Sequence, residues 1–293
     1  MQADNQPVIT IVTNTYQKYH RQNVAVDSWV HLRSLFPKQL HIINFQFLGD
    51  NSFSDYYNQI QTSFYLERSS QTLEPNSIKK LPVLYDIIEA GFNMSSSEYV
   101  MYTNSDVILL PRIIEYIIKE TPDCMACPRL DIQNVDSFQD VLDSKVTPVR
   151  HEIAGYDVFC FQRQWWEYNK QYFNHPFVIG KPLFDVDFAG LMVLFGHKYY
   201  IGNSFPAMAL HIHHGTDSVT TDCPEKTWNE DIHKSNPLLQ IANNVMFYNL
   251  QHNLCKRKPW GAFLQPQKNE REFQDTFFDC INIHKDNTIK YIE

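Results

Sequence analysis

Three short stretches of this chain place side chains that can do chemistry. The first is Asn104-Ser105-Asp106, a polar turn between the apolar runs 99–103 and 107–110, with Pro111 following. A carboxylate at the C-terminal end of a strand in an α/β sheet lies where such folds bind ligands. Its hard oxygens suit Mg²⁺ or Mn²⁺ bridging phosphates. Asn and Asp also favour an Asx turn at such a strand end, which would account for the residues without any ligand. The second stretch is His211-Ile212-His213-His214. Alternation along a strand puts His211 and His213 on one face, opposite Leu210 and Ile212, and His214 begins the loop. Neutral imidazole ligates Mn²⁺-like ions and can donate to a phosphate. The third is Asp185-Val186-Asp187, ahead of the apolar segment 188–195. An Asp at a helix start commonly caps it, which accounts for one of the two. A carboxylate base that takes a proton from a hydroxyl must stand within hydrogen-bond reach of it.

The elements that must carry these residues follow from the apolar pattern. Residues 8–13 are a short β-branched run bounded by Pro7 and Asn14, expected as a first buried strand. A helical period over 24–36 stops at Pro37, and 40–48 reads as a second strand closed by Gly49-Asp50-Asn51-Ser52. Residues 54–74 show no clear period and read as a loop with a short helix. A helix over 81–94, a strand over 99–102, a helix opened by Pro111 and a strand over 124–127 continue the alternation. Such alternation implies βαβ crossovers and a mostly parallel sheet. Further on, 154–161 reads as a strand, 165–172 and 185–195 as helices, 198–201 and 207–212 as short strands, and 238–255 as a long helix. The tail from 258 is mixed and polar.

Composition narrows the function classes. The 293 residues carry a formal net charge of −8, with no long basic run, so the electrostatic footprint of a nucleic-acid binder is missing. The compact basic cluster Lys256-Arg257-Lys258 fits a solvated helix end. The nearly apolar window 188–195 is too short to span a bilayer, and no charged-then-apolar leader precedes the first strand. No transmembrane segment and a cytoplasmic or otherwise soluble protein are therefore expected. The six cysteines have no disulfide-framework spacing, which fits reduced thiols; Cys124-Met125-Ala126-Cys127 lacks the second pair of a zinc site and reads as packed thiols.

Taken in order, these segments resemble the GT-A-fold glycosyltransferases that use nucleotide sugars, of the family 2-like kind, over residues 7 to 214. The likeness rests on residues 99–108, on Gly155-Tyr156-Asp157-Val158-Phe159-Cys160-Phe161, on residues 177–185 and on His211 to His214. It implies a Rossmann-related α/β fold with a mostly parallel central sheet flanked by helices. Residues 1–215 would form the nucleotide-sugar-binding and catalytic domain, with a mainly helical C-terminal extension, 216–293, packed on it. Asn104-Ser105-Asp106 would occupy the D-x-D place, with an uncharged Asn first. Asp106 and His211 or His214, in preference to His213, would hold a divalent cation, Mn²⁺ or Mg²⁺. Asp185, with Asp187 as fallback, would be the base of an inverting transfer. Thr13 and Asn14 would lie at the nucleobase, Asn104 and Ser105 at the ribose or phosphate, Lys181 at a phosphate, and Asp157 either at the acceptor or paired. The implied partners are a UDP-sugar or GDP-sugar donor and a hydroxyl acceptor on a glycan, lipid or protein.

Two other readings use the same residues. A Mg²⁺-dependent nucleotidyltransferase would normally show a Gly-rich phosphate loop or more clustered carboxylates; Thr13-Asn14-Thr15-Tyr16 is not glycine-rich. A non-catalytic GT-A-like module that binds a glycan or a protein gains some support from the Asn at position 104. Convergence of Asp106, a histidine from 211 to 214 and Asp185 on one place separates the enzyme from that module.

Overall fold

Ile9–Thr13 (β1) is buried along its whole length, as a continuous apolar run covered on both faces must be. In the computed structural model, which describes residues 8–16, 19–50, 60–201, 207–214 and 222–256, it lies between two parallel partners. These are Leu40–Phe47 (β2) and Tyr99–Thr103 (β4). Gln61–Leu66 (β3) adds in parallel outside β2. Beyond β4 comes Thr147–Gln162 (β7), antiparallel to it, and then Cys124–Gln133 (β6), antiparallel to β7. The far edge of β6 takes two parallel partners in succession, Tyr199–Ile201 (β8) at 124–126 and Ala209–Ile212 (β9) at 130–132. Val107–Leu109 (β5) closes the sheet antiparallel to β9. The result is one mostly parallel nine-stranded sheet, in which β5 and β7 run against the others.

Alternate residues of the central strands feed two cores. Ile9, Ile11, Tyr99 and Met101 face one way, and Val12, Val100 and Tyr102 the other, as the period of two requires. The first core is roofed by His20–Leu35 (α1), through Val26, Trp29 and Leu32, and by Pro111–Glu120 (α4), through Ile113, Ile114 and Ile117. The short helices Ser70–Leu73 (α2) and Phe138–Leu142 (α5) lie in connections. The second core takes Leu84–Met94 (α3), Arg163–Asn169 (α6) with the single 3₁₀ turn Lys170–Tyr172, and Phe184–Phe195 (α7). Pro224–Ser235 (α8) and Pro237–Lys256 (α9) follow. Leu239, Ala242 and Met246 of α9 enter the same core as Phe188 and Leu191 of α7. Contact there is so close that a Cβ on Gly190 would stand 2.2 Å from the Ala242 carbonyl oxygen.

Several elements differ from the sequence expectation, each for a physical reason. Helix α1 begins at His20, four residues before its apolar stripe, because its first turn is polar. Strand β6 runs on through Pro128 to Gln133, where register shifts against β7 on both sides of Pro128 accommodate the missing amide. Strand β7 correspondingly starts at Thr147. In the segment expected to be a loop with a short helix, β3 appears beside α2. Cys124, Cys127 and Cys160 are buried free thiols; Cys255 and Cys280 lie outside the residues whose side chains are described, as do the basic cluster at 256–258 and the tail. Among the described residues, no helix is long and apolar enough to cross a membrane.

Candidate metal centre and active site

Register alone brings the first chemical group together. Strand β9 lies between β5 and β6, so His211 has Val107 beside it on one side and Asp131 on the other. Asp106 immediately precedes Val107. Its Oδ2 stands 3.6 Å from Nε2 of His211 and 3.6 Å from Nε2 of His214, and the two nitrogens are 3.2 Å apart. Asp106, His211 and His214 thus present three ligand atoms within 4.8 Å of one another. Ligands at right angles on bonds of about 2.1 Å are separated by about 3 Å, so the triangle fits one face of a small divalent cation. Asp131, 1% exposed, accepts a hydrogen bond from Nδ1 of His211 at 2.9 Å. That bond keeps a proton on Nδ1 and turns Nε2 toward the cluster, the usual support for a metal-ligating histidine. His213 instead turns its Nδ1 to the second Asp131 oxygen, at 3.4 Å.

Electrostatics follow from this packing. Burial acts to raise the Asp106 carboxyl, but hydrogen bonds from His211 and His214, the His211 charge and the Arg21 guanidinium outweigh it and hold the group well below the usual carboxylate range. Burial acts to lower His211, yet the carboxylates of Asp106 and Asp131 raise it to about 9. The cation-free cluster therefore carries a proton at neutral pH that a metal must displace.

A second group adjoins the first. The Asn104 side-chain amide donates to Asp157, and its oxygen accepts from the Tyr102 hydroxyl. Its backbone N–H donates to the Asp157 carbonyl at 3.0 Å. Arg129 donates to Asp157 and, through Nε, to Asp131 at 3.1 Å. Asn104, Asp157, Arg129, Asp131 and His211 therefore form one continuous polar chain ending at Asp106. Asp157 is buried and paired on both oxygens, to Asn104 and to Arg129. Asp185, at the start of α7, faces Asp157 and Tyr156. Burial and the Asp157 charge raise its carboxyl to about 7, although backbone amides, including that of Tyr156, pull the other way. The residue before α7's first, Leu183, is held at φ +79°, an unfavourable conformation for a branched side chain.

The remaining expected residues lie as follows. Ser105 accepts from the Gln22 side chain at 2.9 Å. Thr13 donates to the Thr103 carbonyl at 3.0 Å and Asn14 to the Phe45 carbonyl at 2.6 Å. Both are buried at the C-terminal end of β1, where they tie neighbouring strands together. Lys181 is buried in the loop entering α7. Asp187 points away from the cluster: it is fully buried against His233 Nδ1 of α8 at 2.9 Å and Asn243 Nδ2 of α9 at 3.0 Å. Positions 185 and 187, two apart on α7, turn to different sides of the helix, and the Asp187 side contacts the C-terminal helices. Sequence reasoning missed Arg21, Arg129 and Asp131. The alternation Arg129-Leu130-Asp131-Ile132 carried a signal for the latter two, hidden by ending the strand at Pro128.

No protein-family model matches the chain, and no curated protein matches its sequence. Among solved structures, the chain is similar to S. aureus TarS, residues 1–349, in complex with UDP-GlcNAc, at 10% identity and a TM-score of 0.51, over 94% of this chain and 79% of that one. It is also similar to the mannosyltransferase PcManGT from Pyrobaculum calidifontis in complex with GDP-Man and Mn²⁺, at 11% identity and a TM-score of 0.45, over 96% and 87%. The likeness to TarS carries the assignment of the fold, which is that of the GT-A glycosyltransferases.

Proposed function

We propose that the protein is a metal-dependent glycosyltransferase that moves a sugar from a nucleoside-diphosphate donor, a UDP-sugar or GDP-sugar, to a hydroxyl of a glycan, lipid or protein, with inversion at the sugar. The observation that carries this reading is the convergence of Asp106, His211 and His214 on one cation-sized triangle, from which Asp131, Arg129 and Asp157 run toward Asp185, whose carboxyl feels the Asp157 charge. A module that only binds a glycan needs no proton-accepting carboxyl beside its cation site, whereas transfer to a hydroxyl does.

In this reading Asp106, His211 and His214 hold the cation, which when bound neutralises charge developing on the departing diphosphate. Asp131 fixes the His211 ring, and Arg129 holds Asp131 and Asp157 in place. Asp185 takes the acceptor's hydroxyl proton as the acceptor oxygen bonds to the sugar's anomeric carbon and the bond from that carbon to the diphosphate oxygen breaks. A carboxyl near 7 is well matched to this task, since it is ionised in a large fraction of molecules and still basic enough to accept the proton. Residues 1–215 form the catalytic domain and the chain from 216 on an extension packed on it.

The test is turnover of UDP- and GDP-sugars, by transfer or by slow hydrolysis, in chelator-treated protein with and without added Mn²⁺. Activity that returns with Mn²⁺ in the native protein and is absent in Asp106→Ala supports the reading. Turnover unaffected by Asp106→Ala removes the metal assignment.

A further inference from the structure

We propose that Arg21 weakens binding of a bare divalent cation and strengthens binding of the donor's diphosphate, so that the cation is retained as a pair with the diphosphate rather than alone. This rests on the reading that Asp106, His211 and His214 hold the cation. Arg21 lies outside that triad, in the first turn of α1. Its Nε donates to Oδ2 of Asp106 at 2.9 Å, the same oxygen that faces both histidine Nε2 atoms. The guanidinium sits over the Tyr19 ring, 4.6 Å from its centre. The next residue, Gln22, donates to Ser105 in the same turn as Asp106. Two adjacent side chains of α1 thus latch the metal-ligand turn, and Arg21 is held there rather than left to swing in solvent.

A guanidinium does not deprotonate in a protein, so this charge is permanent. Three carboxylates of the network, Asp106, Asp131 and Asp157, face two guanidinium groups, Arg21 and Arg129. With its one imidazole proton the cation-free network is balanced, and a divalent cation that displaces that proton leaves an excess of one positive charge. A permanent charge beside the ligand oxygen repels the ion and attracts an incoming diphosphate by the same Coulombic rule. The two effects have opposite sign and largely cancel when both ligands are present. Without Arg21 the site would take up free metal readily and bind the diphosphate less well.

The opposite signs make the test specific. Mn²⁺ binding, read from the loss of the free-ion EPR signal, and binding of inorganic pyrophosphate without metal, read by calorimetry, are measured for the native protein, Arg21→Met and Arg21→Lys. The expected result is Mn²⁺ bound on the order of tenfold tighter and pyrophosphate on the order of tenfold weaker in Arg21→Met, with Arg21→Lys close to native in both. A merely structural loss weakens both ligands together and would overturn the proposal, as would unchanged Mn²⁺ affinity. If the native protein and Arg21→Met bind Mn²⁺ equally, the role of Arg21 falls and the metal site stands. If neither binds it, the metal site falls and this proposal with it.

Discussion

The Asp185 carboxyl, raised to about 7 by burial and by Asp157, links chemistry to stability at one residue. A carboxyl whose folded value lies above its unfolded one binds more protons in the native state between roughly pH 4 and 7, so folding stability falls as pH rises through that window. Asp185→Asn removes that cost. Its melting temperature should exceed the native one at pH 8 and the difference should close toward pH 4, while transfer is lost and donor binding is kept. An equal loss of stability at both pH values would mean that Asp185 is not the group held up. His211, raised to about 9, gives a second test. A cation must displace its proton, so Mn²⁺ affinity should climb about tenfold per pH unit below 9 and binding should release one proton; calorimetry in buffers of different ionisation enthalpy reads the release. That Asp106, His211 and His214 lie together was legible because each is a polar residue at the boundary of an apolar run. Arg129 and Asp131 were not, because they lie inside a strand whose continuation past Pro128 depends on bulges that only the partner strand β7 supplies. Arg21 was hidden for a different reason: its helix turn is polar, and its contact lies 85 positions away in sequence.

At the scale of elements, helix α8 shows how polar residues substitute for an apolar stripe. Glu225 accepts from the Ser77 hydroxyl and the Ile78 and Lys79 amides. Asn229, fully buried, donates to the carbonyls of Val178 and Pro182 and accepts from the Val178 amide. His233 meets Asp187. These anchors recur every four residues along one helical face and seize two loops and the start of α7, including the loop that enters Asp185 through the unfavourable Leu183 backbone. A hydrophobic period finds no such helix, which is why α8 went unread while α3, α4 and α7 were legible in outline. Strands β1, β2 and β4 were legible too, being apolar runs with turn residues at their ends; β3, with only its last residue buried, offered no comparable pattern. Asn229→Ala leaves three buried backbone groups without their partner. It should cost about 2–4 kcal/mol in denaturant unfolding and lower transfer by releasing the 178–183 loop, with Mn²⁺ binding at Asp106 unchanged. Loss of Mn²⁺ binding in that variant would show that α8 supports the whole sheet edge rather than the loop.

For the molecule as a whole, the sheet places Asp106, in the β4–β5 turn, beside His211 of β9 and His214 just past its end, with the raised carboxyl of Asp185 at the head of α7. These pieces come from widely separated parts of the chain, and a donor that bridges them should stabilise the native state globally. A ligand that binds only the folded protein adds RT ln(1 + [L]/Kd), about 2.7 kcal/mol at a hundredfold excess over Kd. For a domain of this size each kcal/mol moves the melting temperature by about 2–4 °C, so a saturating donor should raise it by roughly 5–10 °C. The panel is UDP, GDP and their common sugar conjugates, each with Mn²⁺ and with chelator. One nucleotide family should shift the native protein strongly with Mn²⁺ and much less with chelator, and Asp106→Ala should lose the metal-dependent part alone. The size of the difference between a diphosphate and its sugar conjugate then reports how much of the sugar the site grips. An equal shift with and without metal would leave a nucleotide site but remove the cation from it. No shift across the whole panel, in protein shown to unfold cooperatively, would instead favour a GT-A-like binding module whose polar network holds the sheet edge and takes no donor.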